Sequence, residues 1–151
     1  MTMKYMHTNI ISKDWRKLAD FYINVFDCKP TGRETNLFGD WLNKATDIEN
    51  ANLNGIQLTL PGYEKDGPTL EIFQYTKNLE KLNPIVANRE GYGHIAFQVD
   101  DVKLVLEKLI SHAGIKLGEI GKKEFKTGTL TCVYAKDPEG NIIELMNWTK
   151  K

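Results

Sequence analysis

The sequence has no surplus of charge of either sign. Its 151 residues carry 20 Lys and Arg against 20 Asp and Glu. Proteins that bind nucleic acid or an anionic membrane surface leave a basic excess or stripe, so neither partner is expected. Long apolar runs are also missing. None approaches the ~20 residues that a bilayer-crossing helix needs, and the opening stretch MTMKYMHTNI turns polar at once, without the apolar core of a secretion leader. There are only two cysteines, Cys28 and Cys132, far apart and matching no CxxC spacing for zinc or redox work. Two thiols do not make a disulfide framework, so the expected compartment is reducing and cytoplasmic. Without a leader, the sequon-like Asn147-Trp148-Thr149 is read as chance. What is present is an ordinary globular composition, 41% hydrophobic and 26% charged, enough to bury a core.

Along the chain, Tyr5 to Ile11 reads as a strand. Ser12 and Asp14 supply helix-start chemistry, and Trp15, Leu18, Ala19, Phe21, Tyr22, Val25 and Phe26 then recur at helical spacing until Lys29-Pro30. Residues 32–54 hold Phe38, Trp41 and Leu42 among polar neighbours and are expected to form a weak strand followed by a short helix or lid. Leu53 to Leu60 and Thr69 to Tyr75 are strands, separated by turn signals at Pro61-Gly62 and Asp66-Gly67-Pro68. Residues 76–90 are polar and read as a linker. The pattern then restarts with a strand over Tyr92 to Val99. A helix capped by Asp100-Asp101 follows, with Gly114 as its terminator, then a strand or loop, and then strands at Thr129 to Ala135 and Asn141 to Trp148.

This order is an internal repeat. His7 and His94 are 87 residues apart, as are the helix-opening Asp14 and Asp101, whereas Glu71 and Glu144 are 73 apart. The difference of 14 places an insertion in the first copy, at about 33–54. The expected fold class is therefore α+β: two βαβββ modules, 1–78 and 91–151, joined by a linker over 79–90. Together they form one structural domain with a curled, cupped mixed sheet and helices outside.

Each module opens on a strand histidine and closes on a strand glutamate. Side chains alternate along a strand. His94 therefore opposes the apolar Ile95, Phe97 and Val99, Glu144 opposes Ile143 and Leu145, Glu71 opposes Leu70 and Ile72, and His7 opposes Met6 and Ile10. All four fall on the sheet face away from the helices. A single strand histidine or glutamate is usually structural or solvent-facing. Four of them at repeat-equivalent positions on one face favour a shared divalent metal: Zn, Ni, Co, Mn or Fe, one ion per site. His112 has Val25 as its repeat-mate and suits the C-terminal dipole of its helix instead.

The fragments Tyr5-Met6-His7-Thr8, Leu18-Ala19-Asp20-Phe21-Tyr22, Thr69-Leu70-Glu71-Ile72, Gly91 to Asp101 and Asp137 to Leu145 resemble the vicinal-oxygen-chelate superfamily. It contains glyoxalase I, methylmalonyl-CoA epimerase, extradiol dioxygenases and fosfomycin or bleomycin resistance proteins. The resemblance covers nearly the whole chain, and the His/Glu/His/Glu set is similar to that of glyoxalase I. It implies a metal-dependent lyase or isomerase working on a small α-oxygenated carbonyl or thioester. The metal would stabilise an enediolate, and Glu144, with Glu71 as the alternative, would move the proton. Phe38, Trp41, Phe73, Tyr75 and Phe97 are the candidate pocket residues. Bacterial glyoxalase I carries a glutathione-gripping arginine four residues past its first histidine; here that position is Ile11. The alternatives are an acyl-CoA epimerase, a non-catalytic small-molecule binding or resistance protein, and an extradiol-type dioxygenase. The resemblance further implies a homodimer with a small-molecule substrate, and leaves open whether the ligand set comes from one chain or two.

Overall fold

The structure, a computed structural model, describes residues 2–63 and 66–151. It resolves into two compact units, Met1–Glu80 and Lys81–Lys151.

The first unit runs β1 (His7–Ile11), α1 (Trp15–Phe26), β2 (Lys29–Pro30), β3 (Thr35–Phe38), α2 (Asp40–Thr46), β4 (Asn52–Thr59) and β5 (Thr69–Tyr75). Its sheet has the order β1-β5-β4-β2, with β3 also on β4; β1 pairs with β5 in parallel and the other pairs are antiparallel. α1 starts because Asp14 adopts an extended backbone and its carboxylate accepts the Lys17 N–H at 3.3 Å, a side-chain N-cap. Its seven periodic apolar residues are all buried, and the helix packs on β4 and β5, whose Leu58, Leu70 and Ile72 are inaccessible to solvent. Burial of each such side chain contributes roughly 1.5–3 kcal/mol. The helix ends earlier than expected, at Asp27 in a left-handed conformation (φ 57°), and Lys29-Pro30 belongs to β2.

The second unit runs β6 (Ile95–Gln98), α3 (Val102–Ser111), β7 (Ile115–Lys116), β8 (Gly121–Phe125), β9 (Gly128–Lys136) and β10 (Ile142–Lys150). Its sheet order is β6-β10-β9-β7, with β8 also on β9. Strand for strand this is the topology of the first unit, so the duplication read from the sequence is a duplication of fold. Asp101 caps α3 as Asp14 caps α1, its carboxylate accepting the Leu104 N–H at 2.9 Å. The terminator differs from expectation. Ala113, not Gly114, takes the left-handed conformation (φ 67°). Gly114 is needed for space, since a Cβ there would lie 2.9 Å from the Leu109 backbone carbonyl oxygen. His112 Nδ1 donates to the Lys108 carbonyl at 2.9 Å, a helix-end role.

The insertion has a clear structural form. β3 and β8 are repeat-equivalent, but β8 reaches β9 through Lys126-Thr127 whereas β3 reaches β4 through residues 39–51, which contain α2. Leu42 of α2 and Ala51 pack with Leu53, and Leu37, Phe73 and Tyr75 close around them. Leu53, Phe73 and Tyr75 alternate onto the sheet face opposite α1, so the insertion covers one end of that face with a second, smaller apolar cluster. No helix among the described residues is long and apolar enough to cross a membrane.

Candidate metal-ligand pairs

β1 shows the alternation that the sequence requires: His7, Asn9 and Ile11 are exposed while Thr8 and Ile10 are half-buried. β5 alternates in the same way, with Leu70 and Ile72 buried against α1 and Glu71 on the other face. The parallel register sets Thr69 beside His7 and Asn9 beside Glu71. His7 and Glu71 meet on the diagonal, Nε2 to Oε2 at 3.3 Å, the glutamate side chain being only 15% exposed.

The second unit repeats the arrangement. His94 lies one residue before β6 rather than inside the strand expected from Tyr92, because pairing with β10 begins at Ile95. Its Nε2 is 3.1 Å from Glu144 Oε2. Glu144 is half-buried between Ile143 and Leu145, both inaccessible on the helix side. Each unit thus presents one imidazole and one carboxylate, and no group of three or more His, Cys, Asp or Glu comes together among the described residues. Imidazole nitrogen and carboxylate oxygen aimed at each other on a half-buried face are donors that suit a borderline divalent cation. Each pair therefore offers two donors of the kind such a cation takes.

The neighbours of the two pairs differ. Gln57 stands across the β4–β5 ladder from Glu71. Its Nε2 donates to Thr69 Oγ1 at 2.9 Å and lies 3.5 Å from Glu71 Oε1. Asn9 gives Glu71 a further side-chain hydrogen bond. Burial raises the Glu71 carboxyl above the usual carboxylate range, with the charge of His7 and the Asn9 bond acting against it. Tyr134 stands across from Glu144. Its ring rests on the His94 imidazole with centroids 4.9 Å apart, and its hydroxyl is pushed up by burial, then by the charges of Glu144 and Cys132. Asn9, Gln57 and Tyr134 were not expected as site residues. Alternation puts them on the correct face, but only strand register sets them beside the glutamates.

Of the candidate pocket residues, Phe73 and Tyr75 share the Glu71 face and belong to the insertion's apolar cluster. Phe38 and Trp41 are 62% and 57% exposed at the start of the insertion. Phe97 is buried on the helix side of β6, the face opposite His94, with Leu145 beside it in the ladder.

The family model described as Glyoxalase/Bleomycin resistance protein/Dioxygenase superfamily matches residues 4–145. A protein named lactoylglutathione lyase from Neisseria meningitidis is 28% identical over 151 aligned positions, covering 95% of this chain and 90% of that one. A probable lactoylglutathione lyase from Vibrio cholerae is 39% identical over a shorter stretch, 37% of this chain and 39% of that one. Among solved structures, a glyoxalase family protein from Bacillus cereus superposes with a TM-score of 0.75 at 18% identity, over 97% of this chain and 93% of that one. The glyoxalase I of Leishmania major, described as trypanothione-dependent, gives 0.62 at 23% identity, over 97% and 87%.

Proposed function

Because this chain belongs to the Glyoxalase/Bleomycin resistance protein/Dioxygenase superfamily, we propose that it is a divalent-metal-dependent lyase or isomerase acting on a small α-oxygenated carbonyl or thioester. The observation that carries this reading is the pair of repeat-equivalent His–Glu contacts, 3.3 and 3.1 Å, each on the sheet face opposite its module's long helix, α1 or α3. The near full-length likeness to a lactoylglutathione lyase supports the reaction class.

His7, Glu71, His94 and Glu144 would hold the metal, two from each module. Zn, Ni, Co, Mn and Fe all suit these donors. When bound, such an ion supplies positive charge that stabilises negative charge developing on a substrate oxygen. Glu144 takes the proton from the hydroxyl-bearing carbon next to the carbonyl and returns it to the former carbonyl carbon, while the hydroxyl proton passes to the former carbonyl oxygen. Substrate and product then have the same atoms and the same electron count, and no oxidant or reductant is consumed. A carboxylate suits this work because it can act as base and then as acid within hydrogen-bond reach of both carbons. Phe73 and Tyr75 give the Glu71 face an apolar boundary, and Phe38 and Trp41 are free to extend it. With Ile11 two residues beyond Asn9 on that face, the thiol carried by the substrate need not be glutathione.

The test is metal analysis of the purified protein, then assay of α-ketoaldehyde hemithioacetals of several thiols and of acyl-CoA esters with each metal. Glu144→Gln is expected to abolish turnover while the protein still takes up metal. Full activity in that variant overturns the proposal. So does stoichiometric ligand binding without turnover by the loaded wild type, which selects a sequestration protein, and oxygen consumption, which selects a dioxygenase. One bound ion per chain supports the four-ligand set; two ions per chain would mean that each pair binds alone. Light scattering tests the homodimer.

A further inference from the structure

The two glutamates occupy equivalent places but are held differently. Glu71 is bracketed by amides on both sides, Asn9 on the parallel neighbour and Gln57 on the antiparallel one. Its Oε2 faces His7 at 3.3 Å and its Oε1 faces Gln57 Nε2 at 3.5 Å. The Gln57 amide is itself oriented. The Thr31 hydroxyl donates to the Gln57 backbone carbonyl at 3.2 Å and lies 3.5 Å from Gln57 Oε1, while Nε2 is drawn to Thr69 Oγ1 at 2.9 Å. This arrangement points the N–H donors toward the carboxylate, where charge-assisted bonds are the stronger kind.

Glu144 has no such bracket. Its neighbours in the ladder are Ala96, which has no polar side chain, and Tyr134, whose ring lies against His94. Among the described residues only its Oε2 has a partner, the His94 imidazole, and Oε1 makes no hydrogen bond.

We propose that Asn9 and Gln57 are positioning residues that clamp Glu71 as a fixed ligand, and that the lack of a matching clamp leaves Glu144 free to turn. This rests on the reading of both glutamates as metal-site groups and adds to it a structural reason for their different duties. A carboxylate held at both oxygens keeps its geometry, whereas one held at a single oxygen can rotate between a ligand position and a neighbouring carbon.

The experiment uses three proteins: wild type, the double variant Asn9→Ala/Gln57→Leu, and the reciprocal Tyr134→Gln, which gives Glu144 an amide neighbour. Metal-free crystal structures are expected to show one Glu71 rotamer in wild type and several in the double variant. A Glu71 already disordered in the wild type, or unmoved in the double variant, overturns the clamp whether or not metal binds. With Co²⁺ alone as probe, the double variant is expected to bind roughly 10- to 100-fold more weakly, the usual cost of removing groups that orient a ligand, and to show an altered visible absorption band. Tyr134→Gln is expected to lose kcat more than KM. Co²⁺ binding and spectrum unchanged in the double variant also count against the clamp. A wild type that binds no Co²⁺ defeats the metal reading instead, and the crystallographic comparison still judges the clamp.

Discussion

Gly55→Ala is a sharp probe of how the first module holds its candidate ligands. Gly55 lies in β4 directly opposite Phe73 of β5, with the Phe73 ring over it. A Cβ at this position would sit 2.2 Å from the Ile72 carbonyl oxygen, 2.4 Å from Phe73 Cδ1 and 2.8 Å from Phe73 Cα. The ring can turn aside, but the other two atoms are backbone. Real Cβ contacts stay above 3.0 Å, so β4 and β5 must separate by most of an ångström. Overpacking a fitted interior costs about 1–3 kcal/mol, and a backbone obstruction belongs in the upper half of that range. For a chain of this size about 2–3 kcal/mol corresponds to roughly 4–12 °C in Tm. The displacement also has an address. Phe73 is two residues beyond Glu71 on the same face, so moving β5 stretches the 3.3 Å His7–Glu71 contact and leaves the His94–Glu144 pair alone. Thermal melts followed by circular dichroism, with calorimetric metal titration, would read both effects. Gly118→Ala is the control, because nothing lies within 4 Å of a Cβ there. A Gly55→Ala melt indistinguishable from wild type would refute the packing argument. A normal melt with lost metal affinity would refute the claim that the effect travels through strand separation.

Two further outcomes follow from ionisation. Glu71 has its carboxyl raised by burial, so the folded state binds its proton more tightly than the unfolded state does. Stability tied to this group is therefore present below the ordinary carboxylate value of 4.5 and lost as pH rises through the folded value. Glu71→Gln should accordingly raise the Tm of the metal-free protein at neutral pH and leave it unchanged in acid; a variant less stable than wild type at neutral pH contradicts this. The thiols should separate cleanly. Cys28 is buried, with its pKa pushed up to about 12 by burial and by the charge of Asp27, while Cys132 is half-exposed. A thiol reagent at neutral pH should modify one cysteine per chain in the native protein and two after denaturation, and rapid native labelling of Cys28, identified by peptide mass, would be the contrary result.

The sequence by itself determined the duplication, the repeat-equivalent positions of His7 with His94 and of Glu71 with Glu144, and the face each occupies. These are local or periodic facts. Two-residue alternation fixes which side of a strand a residue faces once one apolar side is recognised, and the spacings of 87 and 73 locate the insertion without any structure. Even the placement of Phe97 on the far side from His94 follows from alternation alone.

Tertiary structure decided who stands next to whom. Strand register depends on residues far apart in the chain and on how the whole sheet packs, so nothing local to Glu71 announces Gln57, and nothing local to Glu144 announces Tyr134. The insertion was legible as extra length with scattered aromatics, but not as α2 lying over the Glu71 face, because a seven-residue helix with one buried side chain carries too little periodicity to reveal its partner surface. Helix ends fell in the same class. Asp27 and Ala113 take the left-handed turns that Pro30 and Gly114 were expected to mark, since chain termination there is set by the strand that must follow.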